Sequence, residues 1–123
     1  MQHGHRPIVA VVDDDQAVRD SLRFLLETAG FIVDTFDSAC DFLAASMDGE
    51  PTYLLIDQHM PTLTGLDLLL RLRERGVVGP VALMTGSPSA ELSRRAQELG
   101  VTIVIEKPLA EEILLRFLGY DGP

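Results

Sequence analysis

Short apolar runs in this sequence end at residues whose side chains can do chemistry. The residues that follow them are Asp13 with Asp14, Asp57, Thr85 with Gly86, and Lys107. Three carboxylates brought together raise one another's pKa unless a cation relieves the repulsion. Oxygen ligands with no cysteine nearby favour a hard ion, Mg²⁺ above all. A lysine charge, a hydroxyl and a glycine amide beside them suit a phosphoryl group carried by one of the aspartates.

These residues are predicted to meet because of the strands that precede them. Non-alternating apolar runs at 8–12, 53–56, 80–84 and 101–105 indicate strands covered on both faces, as in a parallel sheet. With another strand over 31–36, five strands alternate with five helices, which is typical of an α/β sheet with helices on both faces. Right-handed crossovers place all the carboxyl ends at one edge, where ligands bind. Asp57 is expected as the first residue beyond its strand.

Local signals predict where the helices begin and which side chains they bury. Asp15 is expected to cap the first helix. Ser38 and Thr64 are each followed three residues later by aspartate, which predicts capping boxes, and the helix that Ser38 opens is expected to end near Ser46. Ser87 and Pro88 fit the N-cap and first position of the fourth helix. The third helix is expected to turn four leucines inward, Leu66, Leu69, Leu70 and Leu72.

Composition narrows the class of protein. At 123 residues the chain is expected to form one domain over 1–123, and no run approaches the ~20 apolar residues that cross a bilayer. A polar start without an apolar signal segment predicts a cytoplasmic protein. The net charge of −9 would repel a phosphate backbone, so we expect no direct binding to nucleic acid. The single cysteine, Cys40, cannot form an intrachain disulfide and is expected to pack as a small apolar side chain.

The chemical residues and their spacing resemble the receiver domain of two-component response regulators. The similarity runs from about Pro7 to Leu118, and the NarL/FixJ-type receivers look closest. The motifs that carry it are Asp13-Asp14, Asp57 with Pro61 and Gly65, Thr85-Gly86, and Lys107-Pro108. The resemblance implies a flavodoxin-like, doubly wound sheet of five parallel strands in the order 2-1-3-4-5. It also implies a signalling protein rather than an enzyme.

The resemblance implies a role for each of these residues. Asp57 would accept phosphate from a sensor histidine kinase or a phosphotransfer protein. Asp14 and Asp57 would bind Mg²⁺ with the backbone carbonyl of His59, and Asp13 would act mainly through water. Thr85 and Lys107 would hold the phosphoryl oxygens, helped by the amides of His59 and Gly86. The Lys107-Pro108 bond is expected to be cis. The last two helices would offer a surface for an output partner or a second copy of the chain.

Three further positions are expected to affect how the site responds to a phosphoryl group. Val104 stands three residues before Lys107, where the family carries an aromatic residue that turns inward on phosphorylation. We therefore expect a weaker or differently connected response in the helix 88–100, strand 101–105 and helix 109–118. His59 and Ser87 lie two residues after Asp57 and Thr85, at positions that tune phosphate lifetime in the family. Replacing His59 is predicted to alter dephosphorylation without abolishing phosphorylation.

Three other classes compete with this interpretation. A haloacid-dehalogenase-like phosphohydrolase would use Asp13 as its nucleophile and Asp15 as its acid. Ala17 stands where that motif requires threonine or valine, however, and Asp57 would have no role. A flavodoxin-like cofactor binder lacks its phosphate loop after the first strand, and the aspartates there would repel a flavin phosphate. A receiver-like module that no longer takes phosphate is disfavoured by the complete set of aspartates, threonine and lysine.

Overall fold

Residues 7–45, 51–120 and 122 are described in the computed structural model of the chain. Strands and helices alternate through these residues. The strands are β1 Ile8–Val12, β2 Ile32–Phe36, β3 Tyr53–Asp57, β4 Val81–Thr85 and β5 Ile103–Glu106. The helices are α1 Gln16–Thr28, α2 Ala39–Ala44, α3 Gly65–Glu74, α4 Ala90–Glu98 and α5 Glu111–Phe117. Among these residues, no helix is both long and apolar enough to cross a bilayer.

The strands form one parallel sheet in the order β2-β1-β3-β4-β5. The predicted fold class and strand order are therefore confirmed. Each central strand sends successive side chains into two separate cores, because side chains alternate between the faces of a sheet. In β3, Leu54 and Ile56 join the core under α2, α3 and α4, whereas Leu55 joins the core under α1 and α5. This two-sided burial explains why the strands read as continuous apolar runs.

Capping side chains begin several helices where the sequence indicated. The Asp15 carboxylate accepts hydrogen bonds from the amides of Ala17 and Val18 at the start of α1. Thr64 and Asp67 form a complete capping box at α3, with side chain to backbone distances of 3.1 Å in both directions. Ser38 accepts from the amide of Asp41 at α2. These caps satisfy amides in the first turn of each helix that no helical carbonyl can reach.

Some local predictions were wrong. The N-cap of α4 is Ser89, whose hydroxyl accepts from the Leu92 amide at 3.0 Å, so Ser87 belongs to the loop before the helix. Leu70 is 46% exposed, because the inward face of α3 is taken by its neighbours Leu68 and Leu69. Cys40 is exposed, since the short α2 buries Ala39 and Phe42 instead. The predicted end of α2 near Ser46 lies outside the described residues.

Candidate functional site

The carboxyl edge of the sheet collects the predicted chemical residues. Asp13 follows β1, Asp57 and Thr85 are the last residues of β3 and β4, and Lys107 follows β5. Asp57 thus lies inside its strand and not one residue beyond it, and only 3% of its surface is exposed. Register pairs Asp57 with Met84, which places Thr85 one residue further along the neighbouring strand. Four elements far apart in the chain therefore supply one site.

Three carboxylates of this edge form a compact cluster. Each of Asp13, Asp14 and Asp57 offers a carboxylate oxygen, and these oxygens lie within 4.8 Å of one another. Asp13 and Asp57 are buried, whereas Asp14 is exposed. An all-oxygen donor set of this size fits a hard divalent cation that keeps part of its water shell, as Mg²⁺ does. The donors present thus fit the ion that the sequence predicts.

Lys107 brings a positive charge to the carboxylates of the site. Its Nζ lies 2.9 Å from Oδ2 of Asp13 and 3.2 Å from Oδ1 of Asp57. Burial lowers the pKa of Lys107, but its hydrogen bonds and charge interactions with Asp13 and Asp57 outweigh burial and leave the pKa raised. The backbone helps to aim this side chain, because the Lys107 amide donates to the Thr85 carbonyl at 2.8 Å. The Lys107-Pro108 bond is cis, as expected.

The pKa of Asp57 is raised, and burial is the main cause. The nearby charge of Asp13 raises the pKa further, whereas Lys107 and the amide of His59 lower it. Burial disfavours the ionised carboxylate because the protein interior solvates charge less well than water does. A cation bound between the carboxylates would act in the opposite direction. Nearby positive charges are therefore needed to keep the Asp57 carboxylate ionised.

The acidic turn after β1 is held by contacts that sequence reasoning missed. Arg19 in α1 donates from Nη1 to the Asp13 carbonyl at 2.7 Å, while the Asp15 amide donates to Oδ1 of Asp13 at 2.9 Å. With Lys107 on Oδ2, both carboxylate oxygens of Asp13 accept hydrogen bonds. The sequence did not indicate this role of Arg19. Every residue has a backbone carbonyl, so no pattern of residue types marks the partner of such a contact.

The loop from β3 to α3 is held by Gln58, which also escaped the sequence analysis. Its side-chain Oε1 accepts from the Leu66 amide at 2.9 Å, and its backbone carbonyl accepts from the Gly65 amide at 3.1 Å. Gln58 is buried, so these bonds satisfy two amides at the start of α3 that no helical carbonyl can reach. The neighbouring His59 amide donates to Oδ1 of Asp57 at 3.3 Å. The loop that carries the His59 carbonyl is therefore tied both to Asp57 and to α3.

Thr85 is fully buried, and its hydroxyl has two neighbours. Oγ1 accepts from the Ser87 amide at 3.0 Å and lies 3.0 Å from Nε2 of His59. The contact with His59 was not predicted, because the two residues are 26 positions apart. Gly86 has open space where a side chain would begin. Val104 is partly buried against the core under α2, α3 and α4, beside Leu83 in β4.

A family profile matches most of the chain. Its description is response regulator receiver domain, and it matches residues 9–118, a range that includes the whole site. The chain belongs to this family. It is thus a receiver domain of two-component signal transduction, as its motifs indicated.

Curated relatives of the receiver are transcriptional regulators. It is 39% identical over 107 residues to the transcriptional regulatory protein FixJ of Azorhizobium caulinodans, covering 87% of this chain and 51% of that protein. It is 35% identical over 112 residues to the transcriptional regulatory protein TdiR of Thauera aromatica, covering 91% of this chain and 49% of that protein. The chain spans about half the length of these relatives.

Solved structures confirm the fold of the receiver. The crystal structure of FixJ-N superposes with a TM-score of 0.83 at 31% identity, over 95% of this chain and 94% of that chain. The chemotaxis protein CheY4 of Vibrio cholerae superposes with a TM-score of 0.86 at 26% identity, over 94% of this chain and 98% of that chain. Each superposition includes nearly all of both chains.

Proposed function

We propose that this receiver is a phosphoacceptor whose Asp57 takes a phosphoryl group from the phosphohistidine of a sensor kinase or a phosphotransfer protein. One observation carries the proposal. Lys107 reaches both Asp13 and Asp57 at an edge where three carboxylates cluster. Such a cluster suits the binding of a cation and a phosphoryl group together, because each anion needs a positive charge beside it.

The transfer itself requires one bond to form and one to break. A carboxylate oxygen of Asp57 attacks phosphorus, the phosphorus–nitrogen bond of the phosphohistidine breaks, and the leaving imidazole nitrogen keeps the electron pair. Because Asp57 must be ionised to attack, Lys107 and the His59 amide favour the reactive form by lowering its pKa. The protein's contribution is alignment and charge, as in other phosphoryl transfers.

Mg²⁺ is the proposed cofactor. The carboxylates of Asp14 and Asp57 and the backbone carbonyl of His59 would hold the ion, with Asp13 acting mainly through water. Bound there, Mg²⁺ would neutralise carboxylate and phosphoryl oxygens. With the ion bound, Lys107 would complete the neutralisation of the three aspartates, and the added phosphoryl charge would be shared between two cations.

Thr85 and Lys107 are the proposed contacts to the phosphoryl oxygens. The Thr85 hydroxyl would donate to one oxygen and the Lys107 ammonium to another, with the amides of His59 and Gly86 as further donors. The open space at Gly86 supports this role, since nothing lies within 4 Å of the position of a β-carbon there. These donors would make the phosphorylated state differ from the resting state at the end of β4.

A partner on the output side is also proposed. FixJ and TdiR, of which the chain covers about half, are transcriptional regulatory proteins. We infer that the phosphorylation state of this receiver controls an output domain or partner through α4 and α5, where a second copy of the chain could also bind. With a net charge of −9 the receiver would not itself bind nucleic acid.

The phosphohydrolase alternative is opposed by the position of Asp13. Both of its carboxylate oxygens accept hydrogen bonds, Oδ1 from the Asp15 amide and Oδ2 from Lys107, whereas the contacts of Asp57 with Lys107 and the His59 amide both fall on Oδ1. A nucleophile needs a free oxygen that the substrate can approach. A phosphatase assay with excess substrate separates the two functions, because a receiver releases no more phosphate than its own aspartyl phosphate supplies.

The proposed function is tested by incubation with acetyl phosphate and Mg²⁺, followed by intact-mass measurement. The wild type should gain one phosphoryl group, and EDTA should prevent the gain. Asp57→Asn should gain none, whereas Asp20→Asn, which changes an exposed aspartate of α1, should react like the wild type. An unchanged wild-type mass, or the same adduct on Asp57→Asn, would overturn the proposal.

A further inference from the structure

The hydroxyl of Thr85 is already engaged before any phosphoryl group arrives. Within the described residues its hydrogen-bond neighbours are the Ser87 amide and Nε2 of His59, each 3.0 Å from Oγ1. The amide can only donate, so it occupies a lone pair of Oγ1. Thr85 has no exposed surface, and a buried hydroxyl proton without an acceptor destabilises the folded protein. Nε2 of His59 is the neighbour able to accept that proton.

A phosphoryl group on Asp57 needs the same proton. A phosphoryl oxygen carries lone pairs and no hydrogen, so Thr85 can bind it only by donating. One hydroxyl holds one proton, which cannot be directed fully to the imidazole and to the phosphoryl oxygen at once. His59 as a residue is exposed, and its backbone is tied to Asp57 through the amide. The ring can therefore leave Thr85 without disturbing the carbonyl proposed to bind Mg²⁺.

We propose that His59 is a positioning residue that holds the Thr85 hydroxyl in the unphosphorylated protein and competes with the phosphoryl group for its proton. This inference rests on the proposed function and adds a resting-state contact to it. In the resting state the neutral imidazole accepts at Nε2 and carries its own proton on Nδ1. On phosphorylation the Thr85 hydroxyl keeps its proton but donates it to a phosphoryl oxygen instead of Nε2, and the ring is released. The His59 ring thereby lowers the affinity of the site for a phosphoryl group.

Binding of beryllofluoride in Mg²⁺, measured by calorimetry, tests the competition. His59→Ala should bind this phosphoryl mimic about two- to tenfold more tightly than the wild type, the range expected from one net hydrogen bond. His59→Phe should bind as tightly as His59→Ala, because it keeps a ring but has no acceptor nitrogen. In a Thr85→Val background, where no hydroxyl remains, His59→Ala should leave the affinity unchanged. Equal or weaker binding by His59→Ala would overturn the inference, and so would an equal gain in the Thr85→Val background.

Nitrogen NMR of the His59 ring tests the resting contact without any phosphoryl mimic. The wild type should show a proton on Nδ1 and a hydrogen-bonded, unprotonated Nε2, and Thr85→Val should shift the Nε2 signal. A proton on Nε2 in the wild type would overturn the inference. Asp57→Asn distinguishes a failure of the proposed phosphoacceptor function from a failure of the proposed role of His59. If the wild type binds beryllofluoride no better than Asp57→Asn, the proposed phosphoacceptor function fails, whereas the ring signals still report on the contact between His59 and Thr85.

Discussion

Lys107 and Asp13 form an ion pair across 94 positions of the chain, with Nζ 2.9 Å from Oδ2 and the Asp13 side chain wholly buried. Such a pair is stable only when its remaining polar atoms are also satisfied. The other carboxylate oxygen of Asp13 accepts from the Asp15 amide, and Lys107 also reaches Asp57. The pair therefore links the end of β1 to the end of β5, and Lys107 connects both to Asp57, the proposed phosphoacceptor.

Removing the lysine charge should destabilise the metal-free protein. Lys107→Met leaves Asp13 and Asp57 facing each other without a cation, and we expect the free energy of unfolding to fall by about 2–3 kcal/mol. Mg²⁺ should restore part of the loss by supplying positive charge. Urea unfolding in EDTA and in Mg²⁺ measures both effects. Arg94→Met is the control, because the ion pairs of Arg94 are exposed and worth less than about 1 kcal/mol. Equal stability of Lys107→Met and wild type in EDTA would contradict the prediction.

The raised pKa of Asp57 predicts how stability depends on pH without metal. The folded protein binds the Asp57 proton more tightly than the unfolded chain, whose carboxyl titrates near the ordinary value of 3.8. Stability from this group is therefore lost as pH rises from that value through the raised pKa of the folded state. Asp57→Asn removes the loss, so in EDTA at neutral pH it should be more stable than the wild type.

Urea unfolding across a pH series checks this dependence, with Asp20→Asn as the control for loss of an exposed charge. The difference between Asp57→Asn and wild type should shrink as pH falls below the raised pKa. If Asp57→Asn is less stable than the wild type at neutral pH, burial is not the dominant influence on the pKa of Asp57.

Gly65 should not tolerate a side chain. A β-carbon there would lie 2.7 Å from the Asp57 carbonyl oxygen, 2.8 Å from Cδ1 of Leu83 and 3.0 Å from Cα of Gln58. Two of these atoms belong to backbone and cannot move aside, so we expect Gly65→Ala to lower the free energy of unfolding by about 1–3 kcal/mol. Phosphorylation should slow as well, because α3 must shift away from the Asp57 strand.

The matched control is Gly86→Ala. Nothing lies within 4 Å of the position of its β-carbon, so its unfolding free energy should match that of the wild type. Thermal or urea unfolding of the two variants side by side gives the comparison. Equal stability of Gly65→Ala and Gly86→Ala would mean that α3 can move away from β3 at little cost.

The buried amide of Gln58 should stabilise the loop between β3 and α3. Gln58→Met keeps the length of the side chain but removes the acceptor for the Leu66 amide, and we expect a loss of about 1–2 kcal/mol in unfolding free energy. Gln97→Met, on the exposed side of α4, controls for the substitution itself. Hydrogen exchange of the Leu66 amide reports the contact directly. Unchanged protection of that amide in Gln58→Met would contradict the prediction.

The absence of a ring at Val104 predicts a restricted response to phosphorylation. Beryllofluoride should shift backbone amide signals most strongly from Thr85 to Ser89, with smaller shifts in β5 and α5. Spectra with Mg²⁺ alone provide the baseline, and Val104→Phe should extend the response into β5. Large shifts across α4, β5 and α5 of the wild type would show that the response does not depend on an aromatic side chain at this position.

The sequence alone was sufficient to predict the sheet and the chemical residues at its edge. Uninterrupted apolar runs are local signals for strands buried on both faces, and parallel strands share one carboxyl edge. The sequence thus predicts that Asp13, Asp57 and Lys107 lie at the same edge of the sheet. Helix starts were predictable where one side chain caps the next turn, as at Asp15 and Thr64, and failed at Ser87, where the loop continues to Ser89.

Only the tertiary structure decided how these residues are connected. It brought Lys107 between Asp13 and Asp57, the ring of His59 to Thr85, and Arg19 to the Asp13 carbonyl. Such hydrogen bonds join distant segments, and many end on backbone atoms that every residue possesses, so they leave no periodic pattern in the sequence. Local patterns determine which residues reach the edge, whereas the distances between the side chains depend on how the whole sheet and its loops pack.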